Sequence, residues 1–225
     1  MEGKNAKLLK YANSGDVSIG DKSQVVGYAA IAFSSKKTDD ELGLAEQKRL
    51  LEIAKETVET YIREGKTIDI KESMPNLNKH QGAFVTLKKH GELRGCIGLF
   101  EPDIPLYKVV IEMGIAAATE DHRFSPVTKD ELGDLEYEIS VLSPLKKIDS
   151  WEDIEIGKHG VKIVKGFRSG VFLPQVATEN NWDLDTFMSV LCTQKAGLPS
   201  DCWKNDPDLD IYVFTAQIFD EKNIK

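Results

Sequence analysis

Cysteine is scarce in this 225-residue chain, and its three copies, Cys96, Cys192 and Cys202, cannot all pair with one another. A disulfide framework is therefore not expected, and a reducing compartment would keep all three as thiols. Long apolar runs are lacking as well. None approaches the ~18 residues of a membrane span, and the opening "MEGKNAKLLKYANSG" has no apolar centre of a secretory signal. The expectation is a cytoplasmic protein with no membrane partner. Histidine occurs four times, with no CxxC, no HExxH and no paired ligand spacing, so no metal site is read. Phosphate-loop and dinucleotide fingerprints are missing too, because "GCIG" is no strand-to-helix glycine cradle. Positive charge is the minority sign. A net charge of -8 disfavours nucleic acid as a partner, since that binding leans on clustered Lys and Arg. Only local basic spots such as "LKKHGELR" remain as anion sites.

What is present is enough apolar content, 41%, to bury one core of ordinary size, with an arm in front of it. The arm is assigned residues 1–38 and the main domain residues 39–225. "TDDE" offers a capping box, Thr38 at the N-cap and Glu41 three residues on, ahead of an amphipathic helix carrying Leu50, Leu51, Ala54, Val58, Tyr61 and Ile62. Gly65 supplies its stop. "GAFVTLKKHGELRGCIGLF" reads as a hairpin turning at His90 and Gly91. "PLYKVVIEMGIAAATED" reads as a second helix with Pro105 at N1 and Val109, Met113, Ala116 and Ala117 on one face. "LEYEISVL" alternates as a half-buried strand, "GVKIVKG" and "GVFLPQVA" as a second hairpin ended by Pro174. A third helix runs from about Asp183 to Ala196, and "DIYVFTAQIF" closes the chain as one strand. Short turns between consecutive strands favour antiparallel pairing, so the class is α+β, mainly antiparallel sheet with flanking helices.

The stretch "ELRGCIGLF" carries the least ordinary chemistry. Period-two geometry sends Arg94, Cys96 and Gly98 to one face and Leu93, Gly95 and Ile97 to the other. Arg94 then neighbours the thiol and favours the thiolate, while Gly95 and Gly98 admit a close backbone or a flat ligand. Against this stands the plainer alternative that Cys96 packs as a small hydrophobe and the glycines mark a bulge. A nucleophilic cysteine would want a base, and His122 in "EDHRF" and His159 in "GKHG" lie in loops where one could sit. Taken singly, each of the four histidines is more readily structural than catalytic. Asp121 with Arg123 reads as an ion pair that shapes its loop.

"LRGCIG", followed in order by "AAATEDHRFSPVTKDEL", "YEISVLSP", "GKHGVKI", "VFLPQVA" and "KAGLPSDCW", resembles the AMMECR-one domain family, also called AmmeMemoRadiSam system protein A, over about residues 40 to 218. The resemblance implies an α+β fold with antiparallel sheet and a functional cleft at the Arg-Gly-Cys-Ile-Gly segment. It carries over Arg94, Gly95, Cys96 and Gly98 as the site core, with Arg123 and Phe124 from the loop. Where the family pattern has Asp-Pro-Arg-Phe, this chain has "DHRF", so a catalytic role for His122 would be its own. The segment "YANSGDVSIGDKSQVVGYAAIAF" is similar to the extreme C-terminus of the Memo family, the system's protein B. That tail lacks the family's metal-binding histidines, so no metal transfers with it, and its terminal strand has no sheet of its own. A fused gene, or a chain cut from a longer one, would explain the juxtaposition.

Two functions follow from the resemblance. In the first, the chain is an enzyme component of the system, with Cys96 as nucleophile or covalent carrier, Arg94 lowering its pKa or holding an anion, and His122 as a further catalytic candidate. Gly95, Gly98, Arg123 and Phe124 would bind the ligand. In the second, it is a non-catalytic domain that binds a Memo-like protein or a radical SAM protein through the same cleft. No cofactor of its own is implied, because the cysteine triplet of a radical SAM cluster is absent here.

Overall fold

The structure, a computed structural model, describes the backbone of residues 5–13 and 27–34, and residues 41–224. The chain divides into two units between Glu41 and Leu42. In the first, strand β1 (Asn5–Asn13) pairs antiparallel with β2 (Gly27–Ser34), with a register shift between Leu8 and Lys10. The strand expected to lack a sheet thus finds a partner in its own arm. Residues 24–26 of that stretch lie outside the described residues.

The second unit opens with helix α1 (Leu44–Glu64). It starts later than the box at Thr38, a residue outside those described. Leu42 is buried, its N–H donating to Gln217 Oε1 at 2.9 Å while Gln217 Nε2 donates to its carbonyl. Capping therefore moves to Gly43, whose N–H donates to Glu46 Oε2 at 2.6 Å. Gly65 ends the helix at φ 70°, donating to Tyr61 O. Strands β3 (Ala83–Lys89) and β4 (Glu92–Leu99) form the expected hairpin, with His90 at φ 53° and Gly91 at φ 83° in the turn. Helix α2 (Leu106–Thr119) follows, with Pro105 at the N-cap, one position before the N1 expected of it.

Beyond β5 (Leu135–Leu142) and β6 (Lys146–Ile148), β7 (Gly160–Lys165) and β8 (Arg168–Phe172) make the second hairpin. Pro174 ends the pairing by opening helix α3 (Pro174–Glu179). The third predicted helix begins at the Asp183 cap as α4 (Leu184–Val190) and widens into a π turn, Leu191–Lys195. After α5 (Cys202–Asn205), the single strand read from "DIYVFTAQIF" proves to be two, β9 (Asp210–Phe214) and β10 (Ala216–Asp220), in different sheets. At the break, Ser143 N–H donates to Thr215 O and Thr215 N–H to Ser143 Oγ.

One antiparallel sheet runs β10-β5-β3-β4, the other β6-β9-β7-β8. The class is α+β, with two sheets where one was read. The first core joins Val85, Leu87 and Ile139 of the first sheet to α1 and α2; the second joins Val161, Ile163 and Val213 to α4 and the π turn. Cys192 and Cys202, expected as free thiols, are bonded to each other inside the second core, with their Cα atoms 6.4 Å apart. Sequence spacing shows that two cysteines are near in the chain; it cannot show that a π turn and a short helix present them at bridging distance.

Candidate functional site

Cys96 sits on β4, one of the two outer strands of the first sheet. It lies opposite Thr86, and Thr86 Oγ1 donates to its Sγ at 3.2 Å. Its backbone groups point away from β3 and would be left open on an edge strand. Asp121 fills that gap: its Oδ2 accepts the Cys96 N–H at 2.9 Å, and Arg123 Nη2 reaches the Cys96 carbonyl at 3.5 Å. The two loop side chains are themselves joined as a fork, Nε to Oδ1 at 2.9 Å and Nη2 to Oδ2 at 2.7 Å. Acid and base together take the place of a neighbouring strand at one residue of the edge.

Arg94 is placed differently from the period-two reading. Lys88 pairs with Leu93 and Leu87 with Gly95, so Arg94 is the extra residue of a β-bulge and the alternation breaks there. Its guanidinium meets Glu131 bidentately, Nε and Nη2 each 3.0 Å from a carboxylate oxygen, and donates to the carbonyls of Ser125 and Pro126. The fork fastens the 125–131 segment to the sheet edge and is spent in doing so. Glu131 also receives Lys89 and caps Thr128. Sequence reasoning missed Glu131 and Thr86, although "TKDE" carries the signature of the cap.

The charges follow from these partners. Arg123 beside Asp121 holds that buried carboxyl well below the usual carboxylate range, and Arg94 does the same for Glu131. Burial pushes the Cys96 thiol up, outweighing the Thr86 hydrogen bond and the charge of Arg123. Cys96 is thus a thiol at neutral pH, and the nearby cation is Arg123, where the sequence pointed to Arg94. His122 is exposed at the loop tip, and the group bonded to Sγ is Thr86. His159 accepts the Glu155 N–H through Nδ1 in the loop before β7. Arg123 and Phe124 stack on each other, guanidinium 5.5 Å from the ring centroid. Among the described residues, no group of three or more His, Cys, Asp or Glu is placed to hold a metal ion.

The two glycines have separate tasks. A Cβ on Gly95 would lie 2.1 Å from the Ala117 carbonyl oxygen, so its absence lets α2 press onto the strand; a Cβ on Gly98 would enter the Phe84 ring at 2.2 Å. The family model for AMMECR1 matches residues 51–219, most of the second unit. This chain belongs to the AMMECR1 family. A protein of Methanopyrus kandleri is 44% identical over 192 residues, covering 81% of this chain and 92% of the relative. One from Methanothermobacter thermautotrophicus is 43% identical over 183 residues, covering 78% and 94%. The crystal structure of an uncharacterized Pyrococcus horikoshii protein superposes with a TM-score of 0.71 at 38% identity, covering 78% of this chain and 91% of that one.

In this AMMECR1 domain the Cys96 face of the first sheet meets the second sheet across an aromatic vertex. Phe100 packs edge-on against Phe84 at 5.0 Å and against Phe214 at 5.7 Å. Phe84, Thr86 and Cys96 lie opposite the helix-covered face of one sheet, and Lys162, Tyr212 and Phe214 opposite that of the other, so the vertex joins these two faces. Among the described residues, no helix is long and apolar enough to cross a membrane.

Proposed function

We propose that this AMMECR1 domain is a partner-binding component of an AmmeMemoRadiSam system, presenting the Arg-Gly-Cys-Ile-Gly edge strand to a Memo-like protein or a radical SAM protein. One observation carries the reading: both arginines of the motif and its loop are consumed by internal carboxylates, and the thiol between them is held neutral. These groups are arranged to shape a surface. Leu93 and Leu99, 41% and 37% exposed, flank the motif on the outer strand, where apolar side chains serve docking better than stability. The resemblance of "YANSGDVSIGDKSQVVGYAAIAF" to the Memo C-terminal tail adds support, because it would set a remnant of protein B beside protein A in one chain.

The test is affinity capture of purified Memo-like and radical SAM proteins by the full chain. Cys96→Ser should retain capture, whereas Leu93→Lys with Leu99→Lys should lose it; capture indifferent to the leucines, or none at all, rejects the proposal. The enzymatic reading, with Cys96 as nucleophile, is favoured by one feature, the proximity of Arg123, whose charge alone among the cations near the thiol favours its ionised form. It requires a ligand that draws Asp121 off Arg123, and it predicts that Cys96→Ser abolishes turnover while leaving capture intact.

A further inference from the structure

Beyond the vertex, on the second sheet, lies a cleft of about 340 Å³ lined by Phe100, Lys162, Ser169, Gly170, Val171 and Lys195. In a chain of net charge -8, two lysines and one serine border a single cleft beside one aromatic ring. Lys195 ends the π turn, a helical irregularity that recurs at functional sites. Gly170 sets its place: a Cβ there would lie 2.8 Å from Lys195 Cβ and 2.9 Å from Ala196 N, so only glycine lets the turn close onto β8 and hang Lys195 over the cleft. The disulfide at Cys192 fixes the same turn from within the core. Lys195 Nζ rests 5.6 Å from the Phe172 ring centroid, with no carboxylate on it among the described residues. Lys162 is occupied by the carboxylate of Glu101, whose side chain is 61% exposed and free to swing away.

We infer that this cleft binds a small aryl anion, an aryl carboxylate or aryl phosphate, with its ring on Phe100 and its charge shared by Lys195, Lys162 and the Ser169 hydroxyl. Glu101 is the internal stand-in for that charge, held on Lys162 until a ligand replaces it. The inference concerns the second sheet and does not depend on the partner-binding reading, so the two can fail separately.

Phenyl phosphate and inorganic phosphate, titrated into the ¹⁵N-labelled full chain and followed by amide shifts, test it. Phenyl phosphate should move the amides of Ser169, Gly170, Val171 and Lys195 saturably, and inorganic phosphate should bind about tenfold more weakly, ~1.4 kcal/mol for the lost ring contact. Lys195→Ala should weaken phenyl phosphate by about tenfold or more. Glu101→Gln should tighten it by vacating Lys162, and by more than Glu92→Gln, which removes the same charge from a residue outside the cleft lining. No saturable shift below about 10 mM, equal affinity in Lys195→Ala, equal affinity for the two probes, or weaker binding in Glu101→Gln would each overturn it.

Discussion

Cys96 receives a hydrogen bond from Thr86, lies among buried neighbours, and has Arg123 as its one nearby counter-charge. Alkylation followed by peptide mass spectrometry should give an apparent pKa above the ~8.5 of a free thiol, and Thr86→Val should raise it further. A value near 7 would restore the activated thiolate. Arg94→Ala should cost about 1–3 kcal/mol in urea denaturation, because the Ser125 and Pro126 carbonyls and Glu131 lose their donor together. Arg94→Lys keeps the charge without the fork and should fall between. Asp121 and Glu131 both have folded pKa values depressed below their unfolded ones. Their contribution is complete above the unfolded values near ~4 and is lost as pH falls through the folded ones. Acid unfolding of Glu131→Gln should therefore show a shallower pH dependence below about pH 4 than the parent. The Asp121–Arg123 pair was legible in the sequence because the two residues lie in one short loop. The Arg94–Glu131 pair was not: the partners are 37 positions apart, and the bulge that turns Arg94 outward from the alternation depends on register with β3.

At the scale of elements, the helices and hairpins announced themselves through apolar period and turn glycines, and α1, α2, β3, β4, β7 and β8 stand where those signals fall. The start of α1 did not, since the Leu42 backbone is held by the side-chain amide of Gln217, 175 residues away. The break at Thr215 was hidden because apolar side chains run on through Phe214 and Ala216 while the backbone changes sheet. Glycine substitutions in β4 separate two kinds of contact. Gly95→Ala drives a methyl into a helix carbonyl that moves only with α2, whereas Gly98→Ala meets a phenyl ring that can swing. Thermal melts should show the larger loss for Gly95→Ala, and Gly98→Ala should instead disturb the Phe84 and Phe100 ring resonances. An equal loss for both would mean that Phe84 is as fixed as the backbone.

For the molecule as a whole, the second sheet with its own core and disulfide was the largest feature unread. The sequence holds three tryptophans, and Trp151, Trp182 and Trp203 all belong to that second core, with Trp203 next to the bonded Cys202. Reduction by an excess dithiol, or Cys192→Ser with Cys202→Ser, should remove roughly 3 kcal/mol by freeing the loop between the cysteines. Tryptophan emission should report that loss directly, and unchanged emission and stability would show that the bond contributes nothing beyond packing. Ser143 and Thr215, bonded side by side, mark the only two places where the chain passes from one sheet to the other among the described residues. Like the stitching along the spine of a book, they leave the two pages a single line about which to open. A rotation about that line would change the packing of Phe84, Phe100 and Phe214, whose rings meet edge to face between the sheets and so serve as its gauge.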